Sequence, residues 1–185
     1  TVTITASAPG QINGSATLDV VDDGDPVTYR FDYGTSSSPI EDGYTRVKPT
    51  TSAADGLGYG WLLDQSYPIY SRDRREGSDL ERDFNFTEDA VFVVDVPDGT
   101  YTATVYLGEM SNPHDDMVVY LEGEPCAEVD TAAGEIAAIS CEVQVLDGAL
   151  TVQVKDEGGE DIFACIAGLE VATLETTTAA EEPSP

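Results

Sequence analysis

The sequence predicts an all-β fold, a β-sandwich of jelly-roll type, in a chain of 185 residues that has room for one ordinary domain. Short runs rich in Val, Thr, Tyr and Phe recur between turn residues about every eight to twelve positions, which is typical of a sandwich. No segment keeps the 3.6-residue apolar period of a helix over three turns. Hydrophobic residues make up 41% of the chain, which suffices for a core and excludes a disordered acidic tail.

Two turn signals predict β-hairpins. Strand-like residues 90–96 and 100–107 flank Pro97-Asp98-Gly99, and residues 143–146 and 149–154 flank Asp147-Gly148. Proline and glycine supply the backbone angles that a tight turn requires, so we expect the strands on either side to pair. Further strands are predicted at 28–33, 83–87, 117–122 and 162–173.

The two ends differ in composition from the middle of the chain. Residues 1–26 are predicted to form an N-terminal extension with an added strand, and residues 27–175 the sandwich. Residues 176–185 are rich in Thr, Glu and Pro, a composition that buries no face and is typical of an interdomain linker. We therefore expect a module cut from a larger protein.

The chain is strongly acidic. It carries 36 Asp and Glu against 8 Lys and Arg, a formal net charge of −28. Long-range repulsion at that charge argues against nucleic acid or an anionic membrane as a partner, and no run of 18 apolar residues is present. Lysine occurs only at Lys48 and Lys155, and this composition favours a secreted or extracellular protein, with marine or saline surroundings as one setting.

Three cysteines are present, at Cys126, Cys141 and Cys165. An odd count excludes complete pairing within the chain but is compatible with one disulfide. Cys126 and Cys141 bracket a strand-turn-strand stretch and are the favoured couple. The alternative is three buried thiols that act as small apolar side chains.

The stretch 58–83 combines aromatic residues with half of the basic residues. It holds Tyr59, Trp61, Tyr67 and Tyr70, followed by Arg72, Arg74, Arg75 and Arg82. Glycines beside Tyr59 and Trp61 favour a loop, where a ring could stack on the apolar face of a sugar while Arg and Asp bind its hydroxyl groups. In the alternative, Trp61 fills one end of the sandwich and the arginines pair with nearby carboxylates.

Support for catalysis is thin. His114 is the single histidine, so any Ser-His-Asp arrangement would have to use it. No G-x-S-x-G motif occurs. Gly77-Ser78-Asp79-Leu80 only superficially matches an esterase signature, because its Ser and Asp are transposed. We therefore predict that the chain is not an enzyme.

Calcium is a second hypothesis, because oxygen ligands are abundant in the predicted turns. A sandwich that binds calcium between an early strand and the last one would bring Asp32 near Asp156 or Asp161. In the alternative, these acidic residues belong to ordinary solvated turns.

An ordered series of motifs resembles a known family. The motifs are Phe31-Asp32-Tyr33-Gly34, Gly43-Tyr44-Thr45-Arg46-Val47, Gly58-Tyr59-Gly60-Trp61, Ser71-Arg72-Asp73-Arg74, Asp83-Phe84, Val96-Pro97-Asp98-Gly99-Thr100-Tyr101, Leu107-Gly108 and Gly168-Leu169-Glu170-Val171. Over residues 28–173 the chain is similar to the galactose-binding-like, malectin-related modules attached to rhamnogalacturonan acetylesterases, agarases and related polysaccharide-degrading enzymes.

The resemblance implies a galactose-binding-like jelly roll, carbohydrate binding and a structural calcium. It favours Tyr59, Trp61, Arg72, Asp73 and Arg74 as ligand-binding residues. We add three further candidates, which are Tyr67, Arg46 and His114.

The functional hypothesis is a non-catalytic carbohydrate-binding module that holds a secreted enzyme on an algal or plant cell-wall polysaccharide. A galactan-type chain is favoured, because the negative field disfavours sulfated and uronate-rich polymers. The alternatives are a structural spacer that docks the catalytic domain of the same parent chain and, with less support, a small hydrolase or lyase.

Overall fold

A computed structural model describes residues 2–5, 15–18, 28–63 and 66–174, with only the backbone described in the first two segments. Its regular elements are strands and one 3-10 turn, Ala53–Asp55. In chain order the strands are β1 (Val2–Thr5), β2 (Ser15–Leu18), β3 (Thr28–Tyr33), β4 (Thr45–Val47), β5 (Tyr59–Trp61), β6 (Tyr70–Asp73), β7 (Asp83–Thr87), β8 (Asp89–Asp95), β9 (Gly99–Glu109), β10 (His114–Leu121), β11 (Glu124–Thr131), β12 (Glu135–Val145), β13 (Ala149–Asp156) and β14 (Ala164–Thr173).

The fold is a β-sandwich of two sheets, as predicted. One sheet has five strands in the order β11-β10-β13-β8-β5, and the other runs β12-β9-β14-β3-β4 with β7 and β6 attached to β14. All pairs are antiparallel except β3 with β4. Strands β3 and β7 share one edge of β14: β3 pairs with residues 168–172 and β7 with residues 164–166. This arrangement places the start of β7 beside the end of β3.

An aromatic cluster fills the space between the two sheets. The Phe92 ring on β8 meets the rings of Phe31, Tyr33 and Trp61 at centroid distances of 5.3, 5.2 and 5.2 Å, with each pair tilted edge-on. Such edge-to-face pairs add to the free energy already gained by burying the rings. Alternate residues of β9 and β13 extend the core, as expected for strands that bury one face. Residues 164–169 of β14 are all buried, so this strand is covered on both faces.

The predicted strands are confirmed, but the two predicted hairpins are wrong. Strand β8 lies in the five-stranded sheet and β9 in the seven-stranded sheet, and the same separation holds for β13 and β12. The turns at Pro97-Asp98-Gly99 and Asp147-Gly148 therefore carry the chain across the core from one sheet to the other. A turn signal fixes where the chain reverses, whereas the partner of each strand depends on which buried faces pack together.

The prediction of a loop at Gly58-Tyr59-Gly60-Trp61 is also wrong, because these residues form β5, paired with β8. Gly60 has φ of +154°, and a Cβ atom there would collide with the backbone of Ser52 and Ala53. The glycine therefore permits close approach of the backbone of residues 51–53. The Trp61 N–H donates to the carbonyl oxygen of Thr51 at 2.8 Å. A glycine can therefore lie within a strand where another backbone approaches closely, and it does not always indicate a loop.

A disulfide joins Cys126 to Cys141, with their Cα atoms 6.1 Å apart, and confirms the favoured pairing. Cys126 lies on β11, the edge of the five-stranded sheet, and Cys141 on β12, the edge of the other. The bridge therefore ties the two sheets together along one side of the sandwich. Cys165 is a buried free thiol.

The N-terminal extension contains two strands, β1 and β2, which pair with each other. The predicted domain boundaries near residues 26–27 and 175–176 lie outside the described residues. Among the described residues no helix has the length and apolar character needed to span a membrane.

Reduction of the disulfide is expected to destabilise the fold by about 3 kcal/mol, because a cross-link over a loop of this size removes conformational freedom from the unfolded chain. The measurement is the free energy of urea unfolding with and without a reducing agent. A Cys126→Ala/Cys141→Ala variant serves as the control and should not respond to the reductant. An unchanged unfolding midpoint in the reduced wild-type protein would contradict the structural role of the bridge.

Candidate functional site

A face that carries both aromatic and arginine side chains is built by β6 and β7. Tyr70 lies opposite Phe86, and Arg72 lies opposite Phe84. Residues directly opposite in an antiparallel pair point to the same side, as do residues two apart on one strand. One surface therefore carries Tyr70 and Arg72 of β6 together with Phe84 and Phe86 of β7.

Arg72, Phe84 and Phe86 of this surface form one wall of a cleft that encloses about 690 Å³. The size falls within the range of small-molecule sites in proteins. Most of the rest of the lining, which we call the acidic wall, comes from the start of β10, the end of β11 and the loop before β14, together with Cys165. The lining residues are Arg72, Arg74, Phe84, Phe86, Asn112, Pro113, His114, Asp115, Asp130, Thr131, Glu160, Asp161, Phe163 and Cys165.

Arg74 is held in the cleft lining by Glu109, a fully buried carboxylate at the end of β9. The Arg74 Nε and Nη2 groups donate to the two carboxylate oxygens at 2.7 and 2.8 Å, a bidentate pair. The same carboxylate accepts the backbone N–H groups of Ser111 and Asn112, each at 2.7 Å. Burial opposes ionisation of Glu109, but these donors outweigh it and lower its pKa from the ordinary value.

Only part of the Arg74 guanidinium is used by Glu109. A guanidinium has five N–H groups, and two of those of Arg74 donate to Glu109. The guanidinium also lies over the Phe84 ring at 5.6 Å. The remaining N–H groups donate to no described residue and are oriented at the cleft wall before any ligand arrives.

Arg72 is exposed and takes part in none of the ion pairs between described residues. It therefore offers the cleft a guanidinium that pairs with no carboxylate among the described residues. The cleft therefore has two guanidinium groups. That of Arg74 is held in place by Glu109, and that of the exposed Arg72 can adjust to a ligand.

The acidic wall is held together by Asp115. Its carboxylate accepts the N–H of Glu160 at 2.8 Å and that of Asp161 at 3.3 Å, and these bonds lower its pKa. Gly159 has φ of +86°, and a Cβ atom there would collide with the Asp115 carboxylate, so only glycine fits. The loop that presents Glu160 and Asp161 is thus fixed against β10.

Cys165, His114 and Asp161 lie in the order of a catalytic triad. Asp161 contacts His114 Nδ1, and the Cys165 sulfur lies 3.3 Å from His114 Nε2. The sulfur is also 3.8 Å from Nδ1, so it lies beside the ring and not along the Nε2 lone pair. Burial, with the nearby carboxylates, raises the pKa of the thiol well above its ordinary value, and Cys165 is only 1% exposed. The arrangement lacks an accessible, ionised nucleophile.

Three of the predicted ligand-binding residues meet in the cleft: Arg72, Arg74 and His114. Trp61 does not, and this prediction is corrected, because the side chain is 0% exposed and packs against Phe92. Tyr59 is half-buried against Phe31 at a ring distance of 4.9 Å. The sequence placed both rings in a loop, but strand β5 turns them toward the core.

The other predicted ligand-binding residues also lie outside the cleft lining. Asp73 forms a bidentate pair with Arg82, which lowers the pKa of the carboxyl. Arg46 donates to the carbonyl oxygens of Ser36 and Ser38 and so fixes the loop after β3. Tyr67 is exposed, as expected, but is not a lining residue.

The three predicted calcium ligands do not form one site. Among the described residues no group of three or more His, Cys, Asp or Glu side chains is arranged to hold a metal ion. Asp32 is buried near Asp83 instead, on the other side of β7 from the cleft rings. Asp156 and Asp161 do contact each other, and each has one buried carboxylate oxygen without a hydrogen-bond partner.

Phe84, Phe86, Phe163 and Asp130 line the cleft but were not predicted from the sequence as site residues. Phe84 and Phe86 alternate along a predicted strand, which was a signal that they share a face. No comparable signal marked Phe163 or Asp130, because their place in the cleft depends on strands that are far apart in the chain.

Comparisons with known proteins relate the chain to part of an agarase. No protein-family model matches it. Beta-agarase A of Zobellia galactanivorans is 31% identical over 141 residues, which is 74% of this chain and 25% of the agarase. The chain thus spans about a quarter of the length of this curated relative.

Solved structures share the fold at lower sequence identity. The Bacillus subtilis protein YxiM superposes with a TM-score of 0.62 at 22% identity, over 80% of this chain and 40% of its own. A plant receptor-like kinase, FER, gives 0.59 at 11% identity, over 83% and 44% of the two chains. Beta-glucuronidase of Bacteroides uniformis gives 0.55 at 11%, over 80% and 18%. The chain is therefore a β-sandwich of a known architecture, similar in sequence to a portion of a polysaccharide-degrading enzyme.

Stability is expected to fall by about 4 kcal/mol as the pH rises from 5 to 8 in the absence of divalent cations. Burial raises the pKa of Asp32 to about 7 and that of Asp83 to about 6. The folded state therefore binds these protons more tightly than the unfolded chain, and the stability they contribute is present at low pH and lost as the pH passes 6 to 7.

The free energy of urea unfolding, measured at several pH values, tests this dependence. Asp32→Asn should flatten the profile, because the amide keeps an acceptor for the Glu41 N–H but cannot ionise. Asp42→Asn is the matched control, because it makes the same change at an exposed residue next to Glu41. A profile that rises toward pH 8 would contradict the burial of two carboxyl groups.

Proposed function

We propose that this chain is a non-catalytic carbohydrate-binding module and that its cleft binds a neutral, galactan-type polysaccharide of the agarose class. The observation that carries the proposal is the composition of the cleft. Its lining combines three phenylalanine rings and two guanidinium groups with four carboxylates that can accept hydrogen bonds. Sugars combine apolar C–H faces with a rim of hydroxyl groups, and sites that bind them need both kinds of surface.

The charge of the cleft supports an uncharged ligand. Four lining carboxylates face two arginines, and the chain as a whole carries −28. Sulfate or uronate groups would meet repulsion both at long range and within the cleft. Hydroxyl groups can accept from Arg72 and Arg74 and donate to the acidic wall.

Similarity to part of an agarase supports an accessory role beside a catalytic domain of the same parent chain. The covered, un-ionised thiol of Cys165 supports a site that binds without reacting. The disulfide supports secretion, since disulfides persist in oxidising surroundings, and the acidic surface favours a saline or marine setting.

Arg72→Ala is expected to weaken binding to agarose about fivefold to tenfold, because it removes charged donors from the cleft wall. The measurement is retardation in affinity gels that contain agarose, followed by titration calorimetry with agarose oligosaccharides. The thermal midpoint should not change, because Arg72 makes no described ion pair.

Arg75→Ala is the matched control. Arg75 is also an exposed arginine but does not line the cleft, so both variants lose the same charge. Equal losses in the two variants would contradict the proposed site. Absence of retardation for the wild-type protein on a broad panel of wall polysaccharides would instead favour a spacer that docks a neighbouring domain.

We also propose that calcium binds between Asp156 and Asp161, as a revision of the three-residue site predicted from the sequence. Burial raises the pKa of Asp156 to about 6, and the contact with Asp161 adds to this effect. Their two unpartnered oxygens are hard ligands of the kind calcium takes. The other four or more oxygens that calcium requires would have to come from water or backbone groups.

Calcium is therefore expected to raise the thermal midpoint of the wild-type protein at pH 8 and to have no effect on Asp156→Asn. Thermal melts with calcium and with EDTA make the comparison. A wild-type midpoint that neither addition moves would remove the calcium proposal and leave the carbohydrate site unaffected.

A further inference from the structure

The aromatic rings of the cleft continue outward beyond it. From the inside, Phe84 is 2% exposed and its ring centroid lies 5.7 Å from that of Phe86. The Phe86 ring in turn stacks against Tyr70 at 5.2 Å with an interplanar angle of 28°. Tyr70 is 46% exposed and is not a lining residue of the cleft. The three rings thus lead from the buried base of the cleft to the open surface.

The Tyr70 ring is held in one orientation, although much of it is exposed. One face packs on Phe86, and Phe163 meets it edge-on at 6.4 Å. The hydroxyl group of Tyr70 has no hydrogen-bond partner among the described residues. A fixed aromatic ring with a free face and a free hydroxyl group loses little entropy when a ligand stacks on it.

Arg72 lies two residues from Tyr70 on the same face of β6. Arg72 lines the cleft and forms no ion pair with a described residue. Tyr67, 43% exposed, precedes the strand. Stacking and hydrogen-bonding groups are therefore available along a path that leaves the cleft, and the path contains no unpaired carboxylate on β6.

We infer that the binding surface runs from the cleft across Tyr70 and takes an internal segment of a neutral polysaccharide chain, with Tyr70 stacking on a sugar that lies outside the cleft. This inference rests on the proposed function and goes beyond it in naming the residue and the mode of binding. A site for chain ends alone would need no ordered ring outside the cleft. A polysaccharide is favoured over a docked protein domain because the exposed ring is continuous with the cleft rings through Phe86.

The experiment is titration calorimetry with agarose oligosaccharides of two, four, six and eight sugar units. The wild-type protein should bind the longer oligosaccharides more tightly, and Tyr70→Ala should lose about fivefold to tenfold in affinity for six and eight units. Its affinity for two units should change less than twofold. Tyr70→Phe keeps the ring and should retain the gain with length.

Two controls separate stacking from other effects. Leu146→Ala removes an exposed apolar side chain, 70% exposed, that lies far along the chain from β6, and it should bind as the wild-type protein does. Borohydride reduction opens the terminal sugar ring of the eight-unit oligosaccharide, and a site for internal segments should bind the reduced and unreduced forms equally.

The outcomes distinguish this inference from the function on which it rests. If the wild-type protein binds none of the oligosaccharides, the proposed function fails and the inference fails with it. If binding occurs but is equal at all lengths, or is unchanged in Tyr70→Ala, the inference alone is overturned and Tyr70 becomes a contact for a neighbouring domain. Loss of binding on reduction of the chain end would likewise overturn it.

Discussion

The Arg74–Glu109 pair is the interaction on which the cleft depends. Glu109 lies at the end of β9 and is fully buried, a position where an unpaired carboxylate would be costly. Its bidentate bonds from Arg74 and its bonds from the turn after β9 satisfy that charge. One buried group thereby fixes both the arginine that directly follows β6 and the turn that leads to His114 and β10, and these elements come from separate parts of the chain.

The cleft follows from how the strands share β14. Because β3 leaves the edge of β14 and β7 takes its place, the β6–β7 pair projects at that end of the sandwich. The rings on one side of β7 face the cleft, and Asp83 lies on the other side near the buried Asp32. Two carboxylates of the acidic wall already have partners within the protein. Asp115 accepts the N–H groups of residues 160 and 161, and Asp161 contacts His114.

Much of the fold could be predicted from local pattern, because alternating apolar residues indicate strands wherever one face is buried. The partners of those strands could not, and the turn at residues 97–99 shows why: the same sequence serves a hairpin or a crossing between sheets. For the site, the clustering of arginines indicated Arg72 and Arg74, and the structure places both in the lining of the cleft. Trp61 misled because its flanking glycines permit close backbone contact with Ser52 and Ala53, a reason that only the packed structure reveals.

Nuclear magnetic resonance would show whether a saccharide binds between the β6–β7 face and the acidic wall. Spectra of the ¹⁵N- and ¹³C-labelled protein, recorded during titration with an agarose oligosaccharide, report the Arg74 Nε–H and the rings of Phe86 and Phe163 individually. We expect these signals to shift together and saturably, while those of Trp61 and Tyr59 stay in place. Saturable shifts confined to Tyr59 and its neighbours, with the Arg74 signal unmoved, would contradict this expectation.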